Sequence, residues 1–200
     1  MSWSSPRAWA VGELVTASNM NTYISDNLNY LYSKVAAQIE LFGSSLWPSN
    51  TTGATGVTKY EMATNKEYFA AMSFVNGSQT YAEGEIPALP DDYNSGTMTA
   101  KFIWDCSNAS TNSATWGIAG IAYGDNVALD AAFGTAQEVT DGNNGSYKRN
   151  ISAASAAITF AGTPTAGKSL HLRVYRKGSG SDTLAFPALL VGVILNYTRT

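Results

Sequence analysis

From Tyr68 to Thr200 apolar side chains recur at every second residue. Met98, Ala100, Phe102 and Trp104 alternate with Thr97, Thr99, Lys101, Ile103 and Asp105. Leu170, Leu172 and Val174 alternate with Ser169, His171, Arg173 and Tyr175, and Leu189, Val191, Val193, Leu195 and Tyr197 make a third row. A period of two is that of a strand with one face buried and one wet. Further strands are expected near Tyr68–Phe74, Tyr81–Ile86, Thr115–Tyr123, Ser146–Ile151 and Ala156–Phe160. Turn formers separate them: Asn76-Gly77, Pro90-Asp91-Asp92, Asp141-Gly142-Asn143-Asn144-Gly145, Thr163-Pro164 and Gly178-Ser179-Gly180. About eight half-buried strands need two facing sheets, so the expected fold is mainly β, a jelly-roll-like antiparallel β-sandwich over residues 67–200. With 200 residues, 44% hydrophobic and 14% charged, the chain holds one such core plus an extension, and a second large domain does not fit.

The period changes in the N-terminal fifth. Thr16 or Ser18 can cap a helix, after which Met20, Ile24, Leu28, Leu31, Val35, Ile39 and Phe42 recur at steps of four and three until Gly43. The expected helix, 16–42, is about 40 Å long at 1.5 Å per residue. In heptads Ile24 and Leu31 take d positions and Leu28, Val35 and Phe42 take a positions, with Asn21 and Gln38 as polar entries that set register. That pattern favours a parallel coiled coil, expected to be trimeric, over an amphipathic helix lying on its own sandwich. Residues 1–15 have no period and carry Trp3 and Trp9 around Pro6, an extended anchor whose indoles need a cover, either another chain or their own. Residues 43–66, rich in Gly, Ser, Thr and Asn, read as a linker.

The N-terminal segment resembles that of many tailed-bacteriophage virion proteins: tail fibres, minor tail proteins and head-attached fibres. The likeness is carried by Trp9-Ala10-Val11-Gly12-Glu13-Leu14-Val15-Thr16-Ala17, followed by Asn21 and Asp26-Asn27-Leu28. It implies a structural role on the particle, with attachment through Trp9, Gly12, Glu13, Asn21, Asp26 and Asn27. Trp3 joins them by its exposed indole. The block Ile158 to Pro164 with Asp182-Thr183-Leu184 is more loosely similar to β-sandwich domains of phage and environmental viral proteins. The resemblance makes the expected protein a trimeric surface fibre or spike located in the virion. Its expected partners are sister copies, other virion proteins and a host-surface glycan met by Tyr93, Trp116, Tyr123 and Tyr147, whose rings could stack on sugars. Alternatives are a capsid decoration protein that braces the head and, from another class, a carbohydrate-binding module or glycan-active enzyme.

Chemistry finds little to use in this sequence, so no enzyme, cofactor or metal is expected. A net charge of −3 gives no support for a nucleic-acid partner. From Lys148 onward seven bases face only Asp182, which reads as strand faces whose bases meet acids elsewhere in the domain. His171 is the single histidine, on the face opposite Leu170 and Leu172, and reads as a surface residue rather than a base. Glu83/Glu85 and Asp91/Asp92 are the acid pairs a glycosidase could draw on, since that chemistry needs two carboxylates at a set separation. Asp125, Asn126 and Asp130, or Asp141 to Asn144, offer oxygens for calcium without EF-hand spacing. Cys106, the single cysteine, excludes an intrachain disulfide and is expected to be a buried thiol. No apolar run reaches the length of a membrane span, and no basic segment leads into an apolar one, so synthesis without Sec-type export is expected.

Overall fold

The structure, a computed structural model, describes residues 3–5, 7–34 and 37–199. Its strands are β1 (Ala37–Phe42), β2 (Trp47–Pro48), β3 (Thr55–Glu61), β4 (Tyr68–Phe74), β5 (Thr80–Ile86), β6 (Thr99–Cys106), β7 (Ser113–Tyr123), β8 (Gln137–Gly142), β9 (Asn150–Ile151), β10 (Ser169–Arg176) and β11 (Ala188–Tyr197). They form two antiparallel sheets. One runs β3-β4-β11-β6-β9 with β1 also on β11; the other runs β2-β5-β10-β7-β8. Consecutive strands repeatedly change sheet, β4 to β5, β6 to β7 and β10 to β11, which is the wrapping of a jelly-roll-like sandwich.

The alternating rows supply the core. Met98, Ala100, Phe102 and Trp104 face Leu170, Leu172 and Val174 across the sandwich, all sealed from solvent, and Cys106 is a buried free thiol. Trp116 lies at the centre, edge-on to Phe74 at 5.2 Å and stacked on Phe102 at 5.8 Å, with Trp104 at 6.1 Å. Burying one such side chain contributes roughly 1.5–3 kcal/mol. The third row is not a single face. A bulge between Leu190 and Gly192 shifts the register of β11, so Leu190, Val193 and Leu195 turn inward while Val191 stays partly exposed.

At the closed end of the core Arg176 and Asp182 form a buried bidentate pair, with both Nε–Oδ2 and Nη2–Oδ1 at 2.8 Å. The Arg176 guanidinium also donates to the carbonyls of Phe74, Phe186 and Leu184, and Asp182 accepts from the amides of Thr115 and Gly178. Other bases of the C-terminal quarter likewise meet acids in the same sandwich: Arg149 pairs with Asp105, Arg173 with Glu83 and Lys177 with Glu138. Burial pushes the Asp105 carboxyl up, and the charge and hydrogen bond of Arg149 oppose it.

Two boundaries differ from the sequence reading. The helical stretch ends at Lys34, and 37–42 is strand β1 rather than a helix end. On β11, strand β4 pairs only with Ala188–Leu190, leaving the remaining edge open for β1, and this pairing overrides the local four-and-three spacing. Leu41 therefore enters the core, while Phe42, 64% exposed, is no seam residue. The segment 43–66 is not a linker: it holds β2 and β3, and Leu46 and Ala54 are core residues. Gly43 is required where the chain crosses β11, since a Cβ there would lie 2.2 Å from the Leu190 carbonyl oxygen.

The N-terminal residues form a separate compact unit. Thr16 caps the helix by accepting from the Asn19 amide at 3.2 Å. Helix α1 (Ala17–Met20) passes through a π-turn at Asn21–Ser25 into α2 (Asp26–Lys34). The π-turn interrupts the heptad frame and rotates the later turns by about 100°, one residue's worth of helix. Met20, Ile24, Leu28, Leu31 and Tyr32 are exposed along it; Val35 lies outside the described residues. The segment before the helix folds back on it. Asn27, buried, accepts from the Ser4 amide and donates to the Ser4 carbonyl, both at 2.9 Å. Trp3 packs on Tyr30 and Trp9 on Tyr23, leaving the indoles 43% and 41% exposed, so the tryptophans are half covered by their own chain. Arg7 lies over Trp9 and pairs with Glu13, whose carboxylate also accepts from the Ala10 amide. Gly12, at φ +81°, makes the turn that closes this contact.

Candidate functional site

Strand β10 turns its apolar residues inward and presents His171, Arg173 and Tyr175 on the outer face of its sheet. Register places neighbours beside them in rows. Glu85, His171 and Ile121 form one; Trp47, Glu83, Arg173 and Ala119 the next; Tyr81, Tyr175 and Gly117 the third. Gly117 is needed here, because a Cβ would strike the Tyr175 ring at 2.1 Å.

Glu83 is the hub of this face. Its Oε1 accepts from Arg173 Nε at 2.9 Å and pairs with Nη2 at 2.8 Å, and its Oε2 lies 3.0 Å from His171 Nε2. Burial pushes the Glu83 carboxyl up, but the hydrogen bonds and charges of His171 and Arg173 outweigh it and hold the group below its ordinary value. Aromatic rings surround the hub. Trp47 and Phe133 lie 6.0 and 5.8 Å from the His171 ring, and the Arg173 guanidinium is 4.2 Å from Phe133 and 5.4 Å from Tyr81.

The loop after β7 completes the site. It brings Leu129, Asp130, Ala131 and Phe133 over the sheet, pinned by Tyr123 Oη donating to the Leu129 carbonyl at 2.9 Å and by the Gly134 amide donating to Gly120 at 3.0 Å. Loop and sheet enclose a cleft of ≈ 530 Å³, within the range of small-molecule sites. A second hollow of ≈ 240 Å³, lined by Trp47, Pro48, Ser49, Asn50 and Thr51, shares Glu83 with it. Below the cleft Tyr175 donates to Glu138 at 3.0 Å, and burial first, then that carboxylate, pushes its phenol far up.

Of the four rings expected to meet glycan, the fold brings only Tyr123 into this cleft. Trp116 and Tyr93 are core residues, because the alternation of β7 turns Trp116 inward and Tyr93 packs against Tyr197. Tyr147 is exposed but stands by Phe69 of the other sheet. Trp47, Glu83, Glu85, Asp130, Phe133, His171 and Arg173 are the residues that the sequence pattern alone does not assemble. Their signal is the outward face of the β10 row together with Glu83 and Glu85 two apart on β5. Among the described residues no three His, Cys, Asp or Glu side chains are grouped to hold a metal ion. Among the same residues no helix is long and apolar enough to cross a membrane.

No protein-family model matches the chain, and no curated protein matches it. Solved structures do. The CBM36-1 domain of a multidomain xylanase from the hindgut metagenome of Trinervitermes trinervoides is similar at 9% identity and TM-score 0.41, over 82% of this chain and 100% of that one. TmCBM27, a carbohydrate-binding module described for specific mannan recognition, is similar at 14% identity and TM-score 0.37, over 83% and 98%. A Paenibacillus sp. cycloisomaltooligosaccharide glucanotransferase is similar at 11% and 0.45, over 88% of this chain and 22% of that one. The likeness is one of sandwich architecture.

Proposed function

We propose that the sandwich is a non-catalytic glycan-binding module whose site is the cleft around Glu83. The observation that carries this reading is the convergence of an exposed ring, Trp47, and a half-buried one, Phe133 of the covering loop, on an ion-paired carboxylate and guanidinium of the sheet face. Rings stack on sugar faces while fixed charges bond hydroxyls, the mixture a glycan site needs. A glycosidase pairs one protonated carboxylic acid with one ionised carboxylate; Glu83, held below its ordinary value by His171 and Arg173, fits only the second of those roles. Titration of the full chain against a glycan array tests the reading: Trp47→Ala and Phe133→Ala should each weaken binding about tenfold, the worth of a stacked ring. Absence of binding to every glycan, or hydrolysis of one that Glu83→Gln abolishes, would refute it.

The N-terminal unit supports a second, compatible reading, an association and attachment segment in a virion, with a homotrimer as its assembly. Exposed Ile24, Leu28 and Leu31 on one short helical stretch, together with exposed Val11 and Leu14 in the segment before it, are more apolar surface than such a unit leaves to water without use. Sedimentation of the full chain should give a trimer, and Leu28→Asp with Leu31→Asp a monomer. Purified protein mixed with stripped phage particles then separates a head decoration, which rebinds capsids, from a tail fibre, which does not. A monomeric wild type bound to neither head nor tail would end this reading.

A further inference from the structure

We infer that the cleft selects sugars without acidic groups, and that Glu85 and Asp130 are the residues that reject acidic ones. This rests on the reading of the cleft as a glycan site. Five chargeable side chains line it: Glu83, Glu85, Asp130, His171 and Arg173. Both basic groups are spent on one acid. Arg173 directs Nε and Nη2 to Glu83 Oε1, and His171 Nε2 meets Oε2. The guanidinium is also flanked by the Phe133 and Tyr81 rings, and although its side chain is 37% exposed, its charge is already balanced by Glu83. Glu85 and Asp130 have no hydrogen-bonded or ionic partner for their carboxylates among the described residues, and both are exposed on the cleft wall.

What remains on offer is therefore mostly acceptor. A carboxylate only accepts, so the ligand must donate, as sugar hydroxyls do. A uronate, sulfate or phosphate group would bring like charge against Glu85 and Asp130 while the basic groups of the cleft are already paired to Glu83, and such juxtaposition selects against a partner. Trp47 and the Ser49, Asn50 and Thr51 side chains at the adjoining hollow add no charge, so a chain running from one hollow to the other meets net acidic walls only near the Phe133 loop.

The test uses matched ligands. Wild type and the double variant Glu85→Gln with Asp130→Asn are titrated calorimetrically with glucan, mannan and galactan oligosaccharides, and with the same chains after oxidation of their C6 hydroxyls to carboxylates. Thermal unfolding confirms that the variant folds, since both side chains are exposed. Wild type should bind the unoxidised chain at least about tenfold more tightly than its oxidised form, and the variant should shrink that ratio to about threefold or less. Equal or tighter wild-type binding of the oxidised chain overturns the inference while leaving the glycan reading intact. Full discrimination retained by the double variant overturns the assignment to Glu85 and Asp130. No binding of either form by wild type removes the glycan reading itself.

Discussion

Strand β10 carries two arginines three residues apart, each paired with a carboxylate, and they end on opposite faces of one sheet. Arg176 and Asp182 are sealed in the core, and every direction around the guanidinium is filled by a carboxylate or a backbone carbonyl. Arg173 and Glu83 sit at the wall of a cleft, share their carboxylate with His171 and stand beside the exposed Trp47 ring and the half-buried Phe133 ring. The same chemical pair is thus a fastener in one place and, on the function proposed above, part of a recognition surface in the other. Burial decides which: a charge removed from water must be completely matched, whereas one at a cleft wall keeps capacity to spare.

That contrast can be broken by mutation. Asp182→Asn leaves a buried guanidinium without its counter-charge and should cost about 3–5 kcal/mol in denaturant unfolding. A paired Arg176→Met, Asp182→Leu replacement should not recover it, because the carbonyls of Phe74, Leu184 and Phe186 and the amides of Thr115 and Gly178 lose this buried partner. A loss below about 1 kcal/mol in the single variant would show that the pair is not the fastener described. Glu83→Gln should cost stability far less, about 1 kcal/mol or below given its partial exposure, yet abolish detectable glycan binding. The two variants thus separate stability from binding.

Acid sharpens the comparison further. The Glu83 carboxyl is held below its ordinary value in the folded state, so it adds stability above the ordinary carboxylate range. That contribution is lost as pH falls through the folded value. Thermal midpoints measured down to strong acid should therefore fall more for wild type than for Glu83→Gln, and parallel curves would show that the network adds nothing. The smallest effect is expected at Lys177, whose pair with Glu138 is about one-third exposed on both sides. Lys177→Ala should change stability by about 0–1 kcal/mol.

Much of the sandwich is legible in the sequence because its rows obey a strict period. Met98 to Trp104 and Leu170 to Val174 are core residues as their alternation requires, and β4 and β5 fall where strands are expected. Residues 37–42 escape such a reading because Ile39 and Phe42 satisfy a helical spacing equally well, and only the open edge of β11, more than a hundred residues away in the chain, chooses strand. The bulge in β11 likewise leaves no mark in the row Leu189 to Tyr197. For the cleft, one face of β10 can be read, but that Glu83 stands opposite Arg173, and that the loop carrying Phe133 folds over both, are facts of register and loop path. Trp116 shows the limit from the other side: an indole reads as a sugar platform or as core until its neighbours are known.

The distribution of tryptophans makes the molecule its own optical reporter. Trp104 and Trp116 are shut away from solutes, whereas Trp3, Trp9 and Trp47 stand in water over nearly half their surface. An added collisional quencher such as acrylamide therefore reaches the emission of the second group and leaves a residual glow from the first. A ligand reaching from the cleft into the adjoining hollow would shield Trp47, and association of the N-terminal unit would shield Trp3 and Trp9, so the two proposed events can be followed without a label.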